Sequence, residues 1–144
     1  MSESLDHAWI AARIPHAGKM CLLDHVESWS ENGLVCIAIS HRDADNPLRA
    51  HGRLAAACGI EYAAQAMAVH GALIADGTAA RQGFLASVRG AQLHVARLDD
   101  VTDDLRAVVT RSGGDGSLML YDFSLLAGER TLLEGRATVF MNPA

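Results

Sequence analysis

The longest apolar stretch of the chain covers residues 54–74 and consists mostly of alanine, glycine and aliphatic residues. Its length and its lack of proline predict one long helix, and the pair Asp76-Gly77 behind it is a typical helix stop. The polar side chains within the stretch are those of Glu61, Gln65 and His70. A helix with so few polar positions is predicted to be buried on more than one side.

Two strands are predicted before the helix. The pair Asn32-Gly33 is a strong hairpin signal, and it separates a strand near residues 27–30 from the apolar run 34–39. A run without polar interruptions predicts a strand that is buried on both faces. A short helix at residues 5–14, ended by Pro15, is predicted at the start of the chain.

After the long helix the pattern changes to an alternation of apolar and polar residues. It predicts four antiparallel strands, at residues 84–95, 105–112, 118–126 and 130–141. Gly90 predicts a bulge in the first of them. One face of the last strand is predicted to be buried, and its residues are Leu133, Gly135, Ala137, Val139 and Met141. The turns between the last three strands are predicted at Gly113-Gly-Asp-Gly116 and Gly128-Glu129.

The order of two strands, one long apolar helix and four strands predicts the fold class. A curved antiparallel sheet that wraps around the central helix buries most of the helix surface, and this α+β architecture is the hotdog fold. The chain has 144 residues and no internal repeat or linker, so we expect one hotdog domain over residues 1–144.

Composition narrows the class of function. The chain carries 12 basic and 17 acidic residues, and its net charge of −5 argues against a nucleic-acid-binding protein. The cysteines Cys21, Cys36 and Cys58 lack metal-ligand spacing and indicate reduced thiols in the cytoplasm. The N-terminus has no signal-peptide pattern. A membrane span is not expected either, since an acid such as Glu61 costs about 2.5–3.5 kcal/mol inside a bilayer.

The basic residues are mostly arginines, and two interpretations of them stay open. They are solubilising surface residues, or some of them cluster to bind a phosphopantetheine arm or an acidic carrier protein. The arginines on or beside the predicted strands are Arg81, Arg89, Arg97, Arg106 and Arg111.

Glu61 and Gln65 are the first candidates for chemistry. Their spacing of four residues places both side chains on one helix face, so that Gln65 can orient the carboxyl group. A carboxyl group in a buried position can act as a proton donor near neutral pH. The alternative is an acid that simply favours the helix start, where negative charge is stabilising.

The loop and the first helical residues before Glu61 supply further candidates. His51 is a candidate general base, although it is one of seven histidines and could be an ordinary surface residue. Ala56, Ala57 and Cys58 could offer free backbone amides to a thioester oxygen, or they could simply permit close packing.

Two further patterns are interpreted as structural. Cys58 at a helix start could be a nucleophile, but no histidine is placed by the sequence to activate it, so a packing role is favoured. Residues 41–45 alternate between possible ligand types, and a solvated acidic turn is favoured over a metal site.

Several of these segments resemble a known enzyme family. Ile14-Pro-His16, followed by Met-Cys-Leu-Leu-Asp-His-Val at residues 20–26, resembles the opening motif of the FabZ/FabA class of 3-hydroxyacyl-acyl-carrier-protein dehydratases. Glu61-Tyr-Ala-Ala-Gln65 resembles the E-A-L-A-Q segment of that family's helix. Residues 52–65 are similar to the branch found with aryl-polyene biosynthesis, whose helix begins G-R-x-P-A-W-x-G-I-E-x-M-A-Q.

The resemblance implies a hotdog dimer that removes water from a 3-hydroxyacyl thioester and yields the trans-2-enoyl thioester. The acyl group would be carried by acyl carrier protein or CoA, in fatty-acid or polyene-type biosynthesis, and neither a cofactor nor a metal is implied. His51 would take the α-proton, Glu61 would protonate the departing hydroxyl group, and Gln65 would orient Glu61. The amides implied to hold the thioester oxygen are those of Ala56, Ala57 and Cys58.

The loop before the helix departs from the family pattern. The family's histidine lies several residues further upstream than His51, and Ala55-Ala56 stand where the family has Pro-Gly. Two alternatives therefore stay open. One is a non-catalytic hotdog subunit that completes the acyl tunnel of a partner dehydratase in a heterodimer, and the other is a hotdog acyl thioesterase.

Overall fold

The computed structural model describes residues 4–14, 18–75, 83–114 and 117–141. Six antiparallel strands form one curved sheet in the order β1-β2-β4-β5-β6-β3, and the long helix α2 packs against it. This confirms the predicted hotdog fold. The elements are α1 (His7–Ala11), β1 (His25–Ser30), β2 (Gly33–Ala38), α2 (Gly59–Ile74), β3 (Gly83–Leu93), β4 (Leu105–Gly114), β5 (Leu118–Ala127) and β6 (Arg130–Met141).

Alternating burial along the strands places the core on the face that meets α2. In β5 every second side chain is buried, from Met119 to Ala127, and the residues between them are exposed or half-buried. In β6 Leu133 and Ala137 are buried on the same face, as the alternation predicts. The Gly90 bulge is also confirmed, because the β3–β6 register shifts between Arg89 and Gln92.

Strand β2 differs from its prediction in two ways. Its burial alternates, with Val35 half-buried between Leu34 and Cys36, so the prediction of burial on both faces was wrong. The outward-facing residues Val35 and Ile37 are only half-buried, and an apolar run alone does not reveal this. The hairpin loop is Glu31-Asn32 rather than Asn32-Gly33, since Gly33 already pairs with Ser30.

Gly33 starts β2 for a reason of packing. A Cβ at this position would lie 2.7 Å from the carbonyl oxygen of Val109 in the neighbouring strand β4. The glycine therefore allows a close approach between the two strands and is not needed for a turn conformation.

Both helices are shorter than predicted. Helix α1 begins after Asp6, whose carboxylate accepts a hydrogen bond from the Trp9 amide at 3.0 Å. Before α2, residues 56–58 form a 3-10 turn, so the regular helix begins only at Gly59. The predicted stop at Asp76-Gly77 lies outside the described residues, and no helix within them is long and apolar enough to span a membrane.

Helix α2 covers only part of the sheet. It packs against β2, β4 and β5, while its face with Glu61, Ala64 and Ala68 is only half-buried. On the same side of the sheet, Leu85 and Leu93 of β3 are 42% and 48% exposed. The single chain therefore leaves an apolar surface beside the helix uncovered.

Candidate functional site

The chain segment that leads into α2 is held by a neighbouring loop. The amide of Leu98 donates to the Leu54 carbonyl at 2.8 Å, and the Ala56 amide donates to the Ala96 carbonyl at 3.1 Å. Asp99 completes this pairing because its carboxylate accepts a hydrogen bond from the Leu54 amide at 2.8 Å. These contacts fix where the helix begins.

Asp99 in turn is held by Arg97. The guanidinium group donates to the carboxylate through Nε at 3.0 Å and through Nη2. This charge-assisted pairing holds the pKa of the Asp99 carboxyl group well below its usual range, with a further contribution from the Leu54 amide. We call Asp99, Arg97 and the Leu54 amide the entry clamp.

Gly59 brings the first turn of α2 directly onto the sheet. A Cβ at this position would meet the side chain of Leu133 in β6 and would lie 2.9 Å from that of Leu125 in β5. Both leucines are fully buried, so they have little room to move aside. The glycine therefore sets the distance between the sheet and the helical turn that carries Glu61.

The structure brings Glu61 and Gln65 together on this turn. The Gln65 Nε2 group donates to the Glu61 carboxylate at 3.4 Å and to the Met20 carbonyl at 2.6 Å. The Gln65 carbonyl oxygen accepts the Leu22 amide at 2.9 Å. Gln65 is fully buried. If its side-chain amide were turned over, its NH₂ group would face the Leu22 N–H group, and neither of these two donors would have an acceptor. Gln65 therefore presents an N–H group, in one orientation, to the half-buried carboxyl of Glu61.

His51 lies at the exposed tip of a tight turn. Two backbone hydrogen bonds between Ala50 and Arg53, of 2.9 and 3.1 Å, close the turn. His51 and Gly52 both have positive φ angles, of 53° and 77°, as a type I′ turn requires. Among the hydrogen bonds and ion pairs of the described residues, none joins His51 to Glu61, so the single chain does not bring these two candidates into contact.

The three candidate oxyanion amides differ in their surroundings. The Ala56 amide is bonded to the Ala96 carbonyl, and the Cys58 amide donates to the Ala55 carbonyl at 3.0 Å. Ala57 is exposed, and its amide has no backbone partner among the described residues. The structure thus leaves one amide, that of Ala57, available at the helix start.

The thiol of Cys58 makes a weak contact of its own. Its Sγ lies 3.8 Å from the Leu48 carbonyl oxygen, and the side chain is half-buried. The packing role of Cys58 stays a prediction.

The segment 41–45 was predicted to be a solvated acidic turn, and for His41 this was wrong. His41 is fully buried, and its Nε2 lies 3.0 Å from the carbonyl oxygens of both Val101 and Asp103. Burial lowers the pKa of His41, so the ring is neutral and links two loops. No group of metal-ligating side chains occurs among the described residues.

Two of the five predicted arginines form pairs with acids among the described residues. Arg97 belongs to the entry clamp, and Arg106 lies 3.3 Å from the Glu27 carboxylate. Arg81 lies outside the described residues.

Three buried or half-buried polar residues near Glu61 were missed in the sequence analysis. The hydroxyl of Tyr62 contacts Ser40 Oγ at 2.8 Å and accepts a hydrogen bond from the Asn46 side-chain amide at 3.1 Å. The one available signal was the position of Tyr62 beside Glu61, because nothing local in the sequence shows that Ser40 and Asn46 fold towards it.

With this geometry in place, comparisons with known proteins define the family. The model of the ApeP dehydratase family matches residues 8–144, which is nearly the whole chain. The chain belongs to the ApeP-like dehydratase family. No curated protein sequence is significantly similar to it.

Solved structures agree with the fold of this family. The dehydratase heterocomplex ApeI:P from Xenorhabdus doucetiae superposes with a TM-score of 0.83 at 20% identity, covering 98% of this chain and 93% of that chain. A mutant thioesterase from Pseudomonas aeruginosa has a TM-score of 0.60 at 12% identity, with coverages of 83% and 81%. The PaaI protein from the E. coli phenylacetic acid degradation operon has a TM-score of 0.59 at 14% identity and 80% coverage of both chains. At these identities the structures establish the hotdog fold.

Proposed function

We propose that the chain dehydrates a 3-hydroxyacyl thioester, carried by acyl carrier protein or CoA, to the trans-2-enoyl thioester. The observation that carries this proposal is the contact between the carboxyl group of Glu61 and the buried amide of Gln65, whose N–H group is fixed in a single orientation on the first turns of α2. Membership in the ApeP-like dehydratase family supports it.

The proposed reaction needs one acid and one base. A base removes the proton from C2 of the substrate, the bond between C3 and its hydroxyl oxygen breaks, and Glu61 gives a proton to that oxygen so that water leaves. The base thereby gains one proton and Glu61 loses one, and transfer through solvent restores both. Negative charge that develops on the thioester oxygen would be stabilised by the free amide of Ala57.

His51 is the proposed base, and it would act on a substrate shared with a second hotdog chain. Its exposed position leaves the ring accessible to such a chain. The uncovered apolar surface beside α2, with Leu85 and Leu93, is suited to the same contact. The ApeI:P structure is described as a heterocomplex, which favours another hotdog chain as the partner.

The direct test is hydration of crotonyl-CoA and of a longer trans-2-enoyl thioester by the purified chain, alone and with a hotdog partner. Glu61→Gln keeps the shape of the side chain and removes its acid, so we expect a loss of about 100-fold or more in kcat. The matched control is Glu129→Gln, which makes the same change in the exposed turn between β5 and β6. Equal activity of the two variants would disprove the role of Glu61.

His51 requires a substitution that preserves its backbone. Asparagine tolerates a positive φ, so His51→Asn removes the base without straining the turn. We expect kcat to fall about 100-fold. An unchanged kcat would assign the base to another group, for example one supplied by the partner.

The second candidate function is a non-catalytic subunit of a dehydratase heterocomplex. The specific observation in its favour is that no hydrogen bond or ion pair joins His51 to Glu61 among the described residues of the single chain. In this case a complex with an active hotdog chain would keep its activity when Glu61→Gln is introduced here. A thioesterase would instead release free thiol from an acyl-CoA, which a thiol reagent detects in the same samples.

A further inference from the structure

We propose that Tyr62, Ser40 and Asn46 are positioning residues that hold Gln65, and through it Glu61, in the geometry used for proton transfer. This inference rests on the proposed function of Glu61. Its centre is the backbone of Leu22, whose N–H group donates to the Gln65 side chain at 2.9 Å. The Leu22 carbonyl oxygen accepts the Ser40 hydroxyl at 2.8 Å.

The direction of every hydrogen bond in this network follows from the donors available. Ser40 has a single hydroxyl proton and gives it to the Leu22 carbonyl, so the contact of 2.8 Å between Ser40 and Tyr62 requires Tyr62 as the donor. The Tyr62 oxygen then accepts from the Asn46 amide at 3.1 Å. Burial raises the pKa of Tyr62, so its hydroxyl keeps the proton that it donates.

Asn46 anchors the far end of the network in the loop before α2. Its side-chain nitrogen also donates to the Ser40 carbonyl at 2.9 Å, and its side-chain oxygen accepts the Leu48 amide at 2.9 Å. The orientation of its amide is therefore fixed at both ends. The network thus connects the loop that leads towards His51 with the turn of α2 that carries Glu61.

Tyr62 and Gln65, on the same helix, both restrain the backbone of Leu22. They lie three residues apart on α2, and they restrain the carbonyl and the amide of the same residue, Tyr62 through Ser40 and Gln65 directly. If the carbonyl of Leu22 is released, its amide is no longer held at the distance that Gln65 requires. Displacing a positioned group by about 1 Å can lower the rate of a reaction about 100-fold.

Tyr121 provides a matched control for Tyr62. It is also a buried tyrosine in the core, and its hydroxyl bonds to the His70 Nδ1 atom at 2.8 Å. The other nitrogen of His70 lies 2.9 Å from the Ser30 carbonyl and must donate to it, so Tyr121 is the donor to Nδ1. Tyr62→Phe and Tyr121→Phe therefore remove one donating hydroxyl each, and only the first belongs to the network that contains Gln65.

The experiment compares these two variants in three measurements. For Tyr62→Phe we expect kcat of thioester hydration to fall about tenfold with KM unchanged, and for Tyr121→Phe we expect kcat close to wild type at a similar loss of thermal stability. Ser40→Ala should lower kcat as Tyr62→Phe does, while Ser40→Thr, which keeps a hydroxyl, should restore it. Amide hydrogen exchange by NMR gives the third measurement, because Leu22 should exchange about fivefold faster in Tyr62→Phe, relative to the sheet amide of Val109.

The outcomes separate this inference from the proposed function. Wild-type protein that shows no hydration with any partner would overturn the proposed function, and the exchange of the Leu22 amide would then decide on the network alone. Unchanged exchange at Leu22 in Tyr62→Phe would overturn the inference whatever the activity. Equal kcat values of Tyr62→Phe and Tyr121→Phe in an active enzyme would overturn the catalytic part of it.

Discussion

The entry clamp at the start of α2 leads to a prediction about stability. Asp99→Asn keeps an oxygen that can accept the Leu54 amide, but it replaces the carboxylate that Arg97 contacts through two nitrogens. A hydrogen bond to a charged group contributes about 1.5–3 kcal/mol. Because the Arg97 side chain is 34% exposed and partly screened, we expect the lower end, a loss of about 1.5 kcal/mol in the free energy of unfolding at pH 7.

The pH dependence of this loss has a defined sign. The folded-state pKa of Asp99 lies below its unfolded value of about 3.9, so the folded state binds fewer protons. The contribution of the carboxylate is therefore fully present above about pH 5 and decreases as the pH falls through 4 towards 3. The difference between wild type and Asp99→Asn should shrink over the same interval.

Urea unfolding followed by circular dichroism between pH 7 and pH 3 measures this difference. Asp122→Asn is the matched control, since Asp122 forms an exposed cross-strand pair with Arg136 and should contribute less than about 1 kcal/mol. An equal loss of stability in the two variants at pH 7 would refute the contribution of the Asp99 carboxylate. A loss in Asp99→Asn that is the same at pH 3 and pH 7 would refute it as well.

Two further predictions follow from packing. Gly59→Ala should destabilise the fold by about 1 kcal/mol or more, because crowding against Leu133 outweighs the gain in helix propensity. Thermal or urea unfolding measures this loss, and an increase in stability would contradict the close approach. Burial raises the pKa of Cys36 to about 12, so Ellman's reagent at pH 8 should modify only the half-buried Cys58 of the three cysteines in the native state. Cys58→Ser should then abolish the native-state reaction, and all remaining thiols should react in denaturant.

The sheet and the helix could be predicted because burial leaves a local pattern in the sequence. The alternation in β5 and β6 and the apolar run of α2 each repeat over ten or more residues. The pairing of Glu61 with Gln65 was accessible for the same reason, since four residues on a helix define one face. Gly33 was misplaced by one residue because its requirement lies in the neighbouring strand β4, and the hairpin signal contains no information about that strand.

The polar contacts around the candidate site could not be predicted, because their partners are distant in the chain. The buried ring of His41 contacts the carbonyl oxygens of Val101 and Asp103, which lie 60 and 62 residues away in the sequence. Gln65 meets the backbone of Met20 and Leu22 at separations of 45 and 43 residues. Which loop covers which polar residue is decided by the complete tertiary structure. Short-range periodicity in the sequence carries no information about these contacts.

The exposed side chains of Leu85 and Leu93 bear on how much of this protein a cell retains. If a second chain covers them and binds only the folded form, by mass action it would add about 2.7 kcal/mol of stability at a concentration one hundredfold above its dissociation constant. Chains made in excess of that partner would unfold more often and be degraded faster. The steady-state level of this protein would then depend on the rate at which such a chain is synthesised, as well as on its own rate of synthesis.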